Sequence, residues 1–493
     1  MNISDILADH ARNRPDHPAI EDGARIVTFG ALDGLVDDAA PNLQAAGIEP
    51  GDIVAIALED SADHLITLCA LARAGAVIFS ASAGASEAGF AKSLDSVAAK
   101  AVITSGARSP GGERLWLYAK DLCQPAAVSF KRPATGDGDP VMLIQSSGTT
   151  GTPKSFLYSH LDMNAWTERY ANSQGWTADE RCLSLTRMSF TMGRNLALGM
   201  LCLGATVVIN RTRAHDELVT LVNQKRISYL KLTPSHMIPL MEYAVDKAPL
   251  FPSLRAMVVG SAPTSHAQRL LARERLTPNC YEQLGSNEAG LLALALPADQ
   301  DTYPESVGRI VEGVEAQIVD DEDRPVPPGQ VGLVRFRGVG YPTQYLDDPE
   351  ATARAFRDSW FYPGDLAALN DEGYLFFKGR ADDIINNAGA KFYPIEVETV
   401  LQTHPLVREA AVFGWFHRRY GEVAVAGVVV SADVTAKELQ SFCAQSLANY
   451  KVPYVIEMMD ELPKNAMGKV SKVELKEIIE RKLSERQAAQ PKS

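Results

Sequence analysis

Apolar, β-branched runs alternate with helix-like segments through most of the chain before Gly308, and this alternation constrains the fold more than any other feature. Asp52-Ile53-Val54-Ala55-Ile56-Ala57 precedes a helical stretch around 65–72, residues 206–209 precede 217–222, and Ala256-Met257-Val258-Val259 precedes 267–272. Short apolar runs followed by helix-period segments predict α/β architecture. From about Gly308 the texture changes to short runs broken by Gly, Pro and Asp, including 314–319 and 332–336, which predict antiparallel sheet. After Gly379-Arg380 a smaller unit has its own alternation, with helices expected over 394–401 and 436–448 and strands over 409–413 and 423–430. A chain of 493 residues exceeds what one hydrophobic core fills. The expectation is an α/β protein with a large, multi-lobed N-terminal domain of mixed sheets over 1–379 and a small α+β C-terminal domain over 380–493. Pro41 lies inside the otherwise helical segment 32–43 and is expected to kink or end that helix.

The stretch Ser146-Ser147-Gly148-Thr149-Thr150-Gly151-Thr152-Pro153-Lys154 follows the apolar run Val141-Met142-Leu143-Ile144. Its glycines let backbone NH groups turn toward an anion, its hydroxyls can donate to phosphate oxygens or reach a metal, and Lys154 adds a compact positive charge. It is not a Walker A loop, because no Gly-Lys-Ser/Thr closes it and Pro153 separates the last hydroxyl from the lysine. A shorter run of this composition reads as an ordinary surface turn. The full run, placed directly after a buried strand, reads as a grip on a nucleoside triphosphate.

Composition narrows the class. An apolar fraction of 46% and a charged fraction of 22% are those of an ordinary folded protein. The net charge of -13 opposes non-specific binding to nucleic acid or anionic lipid, so a polyanionic nucleotide depends on local basic groups and Mg2+. The six cysteines show no Cys-x-x-Cys spacing and are expected to be buried thiols. No basic segment followed by an apolar run marks the N-terminus for secretion, and the longest apolar window, 196–209, is too short to span a bilayer. The expected location is the cytoplasm.

Four more segments carry chemistry, each with a plainer alternative. Tyr281-Glu282-Gln283-Leu284-Gly285-Ser286-Asn287-Glu288 places a carboxylate after a glycine turn, where it can hold Mg2+ against phosphate or simply start a helix. Trp360-Phe361-Tyr362-Pro363-Gly364-Asp365 presents Asp365, either to both hydroxyls of a ribose or as an acidic turn residue. Gly379-Arg380-Ala381-Asp382-Asp383 leads into a polar, glycine-containing stretch that also reads as a linker before a helix. Leu462-Pro463-Lys464-Asn465-Ala466-Met467-Gly468-Lys469-Val470 puts Lys469 in a loop, either extended into a site or as a solvated surface charge.

Together these segments resemble the adenylate-forming superfamily of acyl-CoA synthetases, peptide-synthetase adenylation domains and luciferases, over essentially the whole chain from Ala11 to the Lys469 loop. The resemblance implies that the small C-terminal domain is mobile. It also implies two half-reactions: a carboxylate attacks the α-phosphate of ATP to give an acyl-adenylate and pyrophosphate, and a thiol then displaces AMP. Ser146, Ser147, Gly148, Thr149, Thr150, Gly151, Thr152 and Lys154 would hold the β- and γ-phosphates, and Glu288 would bind Mg2+. Ser261, Ala262 and Pro263 would lie along adenine, with Glu282, Gln283 and Leu284 on its other side. Asp365, helped by Arg380, would take the ribose hydroxyls. Lys469 would bridge carboxylate and α-phosphate in adenylation only, and Asp382 would be the hinge that exchanges it for the face of Gly389, Ala390 and Lys391 during thioester formation.

The chain departs from the family pattern at several positions. Leu284 stands where an aromatic residue commonly stacks on adenine, and Asn287 where a threonine meets phosphate. Ser155 replaces a common glycine, Asn386 a lysine and Lys472 an arginine. The family's acyl pocket corresponds largely to Met188-Ser189-Phe190-Thr191-Met192-Gly193-Arg194-Asn195. Thr191 stands about where amino-acid-activating members carry aspartate, which argues against an α-amino acid. Phe190, Met192 and Leu196 suggest an apolar acyl or aryl group, or plain helix packing. Arg194 reads as a solvated arginine near a helix start, with recognition of a second substrate carboxylate as the alternative. The expected reaction is ATP-dependent ligation of a carboxylic acid to coenzyme A. Loading of a separate carrier protein and nucleotide binding without catalysis are the alternatives, and the absence of an appended carrier module favours coenzyme A.

Overall fold

The computed structural model describes residues 2–82, 86–106, 114–126, 128–146, 154–212, 214–262, 264–417, 421–464 and 470–489. Four sheets organise them. The first has six strands in the order Leu115–Tyr118, Ala101–Thr104, Ile53–Ala57, Val77–Ser80, Pro140–Ser146 and Lys154–Ser159. All are parallel except the last, which returns antiparallel and pairs Ser146 with Lys154, so both ends of the expected phosphate loop emerge together at the sheet edge.

The second sheet has nine strands, with a parallel centre formed by Cys280–Ser286, Ala256–Val259, Tyr229–Leu232, Arg181–Ser184, Thr206–Val208 and Pro18–Asp22. Antiparallel strands flank it at both edges. Alternation along each strand divides the side chains between two cores. Leu183, Leu230, Leu232, Met257 and Val259 pack with Met237 and Leu240 of the helix Pro234–Tyr243 and with Ala272 of the helix His266–Arg275. Cys182, Tyr229 and Val258 face the other way, toward Tyr170 of the helix His160–Gln174 and Leu196 and Met200 of the helix Thr191–Leu203. Each fully buried leucine contributes about 1.5–3 kcal/mol relative to exposure. The helix His160–Gln174 starts at a Ser159–Asp162 capping box and stops at Gly175, whose φ of 63° is the left-handed stop that glycine adopts readily.

The third sheet is antiparallel, runs from Val314–Val319 to Leu375–Arg380 and matches the expected change of texture. The fourth contains Ile385–Asn387, Ala390–Phe392, Val407–His417, Gly421–Val430 and Val455–Met458, with the helices Pro394–Gln402 and Ala436–Ser446 packed on it. A large N-terminal body and a small C-terminal one therefore follow from a mixed α/β architecture. No helix of the described residues is long and apolar enough to cross a membrane.

Three expectations need correction. Of the two outcomes expected at Pro41, the helix does not end there: Phe29–Ala45 continues through Pro41, whose ring is buried beside Ala40 and Leu43. Cys69, Cys182, Cys280 and Cys443 are buried, but Cys123 and Cys202 are only half-buried. The strand expected over 409–413 extends over Val407–His417, because its partner Gly421–Val430 is nearly as long and each additional pair satisfies backbone groups.

Candidate active site

The polar groups gather where the first, second and third sheets meet. The Lys154 ammonium lies 5.2 Å from the centroid of the Tyr345 ring, and the Tyr345 hydroxyl donates to Glu288 Oε1 at 2.9 Å. Tyr158, on the strand that Lys154 opens, lies with its hydroxyl 2.8 Å from the Asn287 carbonyl oxygen and 2.9 Å from that of Glu288. Its single proton is shared between them and ties the Asn287-Glu288 turn to the edge of the first sheet. Burial, reinforced by the charge of Glu288, pushes both phenols upward, so they remain donors at neutral pH. Glu288 is itself buried.

Arg380 extends this group to the third sheet, being near enough to act electrostatically on Tyr345. Asp365 and Arg380 are register partners at the ends of two antiparallel strands. Arg380 donates from Nη1 to Asp365 Oδ1 at 3.1 Å and to the Pro363 carbonyl at 2.6 Å, and from Nε to Asp382 Oδ1 at 3.2 Å. Gly364, with φ of 82°, makes the turn before Asp365, and a Cβ there would meet the Arg380 guanidinium at 3.1 Å.

The segment expected along adenine leaves the carboxyl end of Ala256–Val259, where open α/β sheets place their ligands. Ser261 is exposed with φ of 81°, a conformation that costs a non-glycine residue about 1–3 kcal/mol. Ala262 is half-buried beside it. Across the strand Cys280–Ser286 the expected contacts divide. Leu284 is half-buried and packs on the larger core. Gln283 faces Tyr170 and Gln174 at hydrogen-bond distances of 3.4 Å each. Glu282 points to the opposite face and forms a buried ion pair with Arg269. Its Oε1 also accepts from the Thr264 NH at 3.0 Å and the Thr264 hydroxyl at 2.6 Å. Glu282 therefore braces the turn after Ser261 and has no free carboxylate to offer a base.

Phe190, Thr191 and Met192 are half-buried at the start of the helix Thr191–Leu203. Gly193 is required there, because a Cβ would collide with the carbonyl oxygens of Thr186 and Arg187. Arg194 is not solvated. It is 2% exposed, its Nε donates to Asn195 Oδ1 at 3.2 Å, and burial pulls its pKa down to about 10. Gly389, Ala390 and Lys391 lie on a hairpin whose turn residues Ala388 and Gly389 have φ of 49° and 94°. Gly389 and Lys391 are exposed, and the Gly389 NH donates to Asn386 Oδ1 at 3.0 Å. Asp382 lies in the 3-10 turn Ala381–Asp383, between the third and fourth sheets. Ser146 and Lys154 frame the expected phosphate loop, whereas Ser147, Gly148, Thr149, Thr150, Gly151, Thr152, Pro263 and Lys469 lie outside the described residues.

Sequence reasoning missed two residues. Tyr345 carried no local signal. Lys231 did, as a lysine inside the apolar run Tyr229-Leu230-Lys231-Leu232.

Residues 7–346 match the model of the AMP-binding enzymes, and residues 396–469 match that of the AMP-binding enzyme C-terminal domain. An indoleacetate–CoA ligase of Aromatoleum aromaticum is 29% identical, over 98% of this chain and 99% of its own. A feruloyl-CoA synthase of an Amycolatopsis species is 30% identical, over 94% of this chain and 96% of its own. Among solved structures, ATP-bound MatB from Rhodopseudomonas palustris is 25% identical with a TM-score of 0.87, covering 97% of this chain and 99% of that one. Two successive domain matches, whole-length likeness to CoA ligases and the Lys154–Tyr345–Glu288 and Asp365–Arg380 groups agree with one another, and the chain belongs to the AMP-binding enzyme family as an AMP-forming acid–CoA ligase.

Proposed function

We propose that this ligase activates a carboxylic acid carrying an aryl ring. The observation that supports this is whole-length similarity to two ligases whose named acids, indoleacetate and ferulate, both carry one. The half-buried Phe190 and Met192 supply apolar surface at the start of the helix Thr191–Leu203, and no acidic side chain stands at Thr191 to hold an α-ammonium.

The chemistry assigns the parts. A carboxylate is a poor acyl donor because its leaving group would be oxide, so conversion to a mixed anhydride gives it AMP as leaving group. Residues 146–154 hold the β- and γ-phosphates, and Asp365 with Arg380 holds the ribose. Ser261, Ala262 and Pro263 line adenine, with Leu284 opposite and Gln283 and Glu282 as supports. Asn287 donates toward phosphate. Glu288, a buried carboxylate fixed by the Tyr345 phenol, would hold a hard divalent cation such as Mg2+, which would supply positive charge against the phosphates. Lys469 stabilises the attacking carboxylate against the α-phosphate, and preplaced cations lower the barrier because they need no reorganisation as charge develops. Residues 1–379 and 380–493 act as two bodies about Asp382, which brings Gly389, Ala390 and Lys391 to the site for the coenzyme A half-reaction. The proposed location is the cytoplasm.

A pyrophosphate-release screen over aryl, short aliphatic and long aliphatic acids, with and without coenzyme A, tests this. Aryl acids should give the highest kcat/KM and AMP release dependent on free coenzyme A. Preference for an aliphatic acid overturns the substrate class, and turnover only with a phosphopantetheinylated protein overturns the acceptor.

A further inference from the structure

Lys231 is 1% exposed, and its ammonium has no hydrogen-bond partner. It lies in the middle of the nine-stranded sheet, beside Ser184 on one neighbouring strand and Val258 on the other. Its side chain reaches toward the carboxyl ends of the strands: the Nζ lies 3.0 Å from where a Cβ on Gly260 would stand, and Gln283 Cγ lies 2.8 Å from the same point. Gly260 and Gln283 immediately precede Ser261 and Leu284, the residues assigned to adenine. The segment assigned to the acyl group leaves this same edge after Ser184. A buried cation at the crevice outside parallel strands, between the exits of two such segments, is placed to meet a ligand.

Among the described residues no carboxylate is bonded to Lys231, and the one that shares the cavity at Ser184 and Thr186, Asp60, accepts from the Met188 NH at 2.9 Å. Burial alone pushes the Lys231 amine well below its ordinary value, with no neighbouring carboxylate to oppose the shift. Thr186, which follows Ser184 out of the sheet, has a buried hydroxyl without a partner. The helix Thr191–Leu203, covering this face, carries two more buried donor atoms without acceptors, Arg194 Nη2 and Asn195 Nδ2. A buried polar group is costly unless paired, and one left unpaired by the protein is commonly satisfied by what binds there. The missing complement to the Lys231 nitrogen is an acceptor, and an anion there would hold it as an ammonium against the effect of burial.

We propose that Lys231 pairs with a second carboxylate at the far end of the acyl substrate, so that the acid activated here is a dicarboxylate with an apolar middle. This deepens the acid–CoA ligase reading and rests on it. One carboxylate goes to the α-phosphate, and the other is desolvated against Lys231, which binds it as an ammonium. A monocarboxylate of the same shape leaves the lysine unpaired and is discriminated against, as sites built around a buried polar group reject ligands lacking its partner.

The test measures pyrophosphate release from the full chain with matched pairs of acids, such as terephthalate against benzoate and 4-carboxyphenylacetate against phenylacetate. The wild type should favour the dicarboxylate in at least one pair. Lys231→Met should shrink that preference by about 100-fold, chiefly through KM for the dicarboxylate, because a charge-assisted pair is lost. Lys231→Arg should restore part of it. In case Lys231→Met reduces turnover with every acid, thermal shift provides a second readout: with a non-hydrolysable ATP analogue, the dicarboxylate should raise the Tm of the wild type and not that of the variant. An unchanged preference, an equal thermal shift in both proteins, or a wild type that prefers the monocarboxylate of every pair overturns the proposal while leaving the ligase reading intact. Failure of the wild type to release pyrophosphate with any acid overturns both.

Discussion

Arg380 and Asp365 face each other across two antiparallel strands, and the same guanidinium that donates to Asp365 at 3.1 Å also reaches Asp382 at 3.2 Å. The carboxylate assigned to ribose and the residue assigned to the hinge thus share one cation. On those assignments this cation would couple nucleotide occupancy to hinge position. Arg380→Met should raise KM for ATP by about tenfold or more, the equivalent of losing one charge-assisted contact of about 1.4 kcal/mol or above. ATP–pyrophosphate exchange at varied ATP measures this, and an unchanged KM would refute the coupling.

Arg269 and Glu282 are 4% and 5% exposed, and breaking such a pair leaves one charge stranded without water. Arg269→Met is expected to cost about 3–5 kcal/mol of stability. Arg269 also donates to the Ser306 carbonyl at 3.2 Å, so the loss reaches the connection before the third sheet. Denaturant titration followed by intrinsic fluorescence reads the change. A loss below about 1 kcal/mol would show that the pair is not held as tightly as its burial implies.

His64 and His160 are buried, and desolvation holds each imidazole down at about 4. Their unfolded-state value is near 6.5, so the unfolded chain takes up protons first as pH falls. The stability these residues contribute is complete above about pH 6.5 and is lost progressively as pH falls toward 4. Between pH 7 and pH 5 each accounts for about 2 kcal/mol. Comparing urea midpoints at the two values for wild type and His64→Leu tests the sign: the variant should lose less stability on acidification. Equal losses would mean that His64 is not held neutral in the folded state.

The parts of the fold legible in the sequence were those set by periodicity. Ala256–Val259 and Val314–Val319 are strands with the bounds expected, the first because a continuous apolar run has few other places to go and the second because polar and apolar residues alternate along it. Pro41 misled, since a local rule about a missing NH cannot weigh the burial of the same ring. Glu282, Gln283 and Leu284 form one run in sequence, yet strand alternation sends Glu282 and Gln283 to opposite faces, and no single ligand lies against both. Arg194 and Lys231 were obscure for a different reason. A cation's burial depends on elements packed above it from elsewhere in the chain, and hydropathy scales presume such residues solvated.

Gly193 offers a direct test of how the acyl segment is held. Its Cα passes so close to the carbonyls of Thr186 and Arg187 that any side chain forces the segment from Phe190 to Asn195 outward. Gly193→Ala should cost about 1–3 kcal/mol by overpacking. It should also lower kcat/KM for the acid by more than it changes KM for ATP, because Phe190 and Met192 move with the backbone. If both substrates are affected equally, the segment does not contact the acid alone.

Substitution at Gly389 should separate the two half-reactions. It has φ of 94° and is exposed, with nothing within 4 Å of a Cβ placed on it, so Gly389→Leu introduces local strain without a collision in the core. With adenylation assigned to Lys469 and not to this hairpin, ATP–pyrophosphate exchange by Gly389→Leu should stay within about threefold of wild type, whereas thioester formation from synthetic acyl-adenylate should fall at least tenfold. Lys469→Ala should give the mirror image, with exchange abolished and thioester formation largely retained. A Gly389→Leu protein that lost only exchange, or a Lys469→Ala protein that lost both steps equally, would mean that one site does not serve the two reactions in turn.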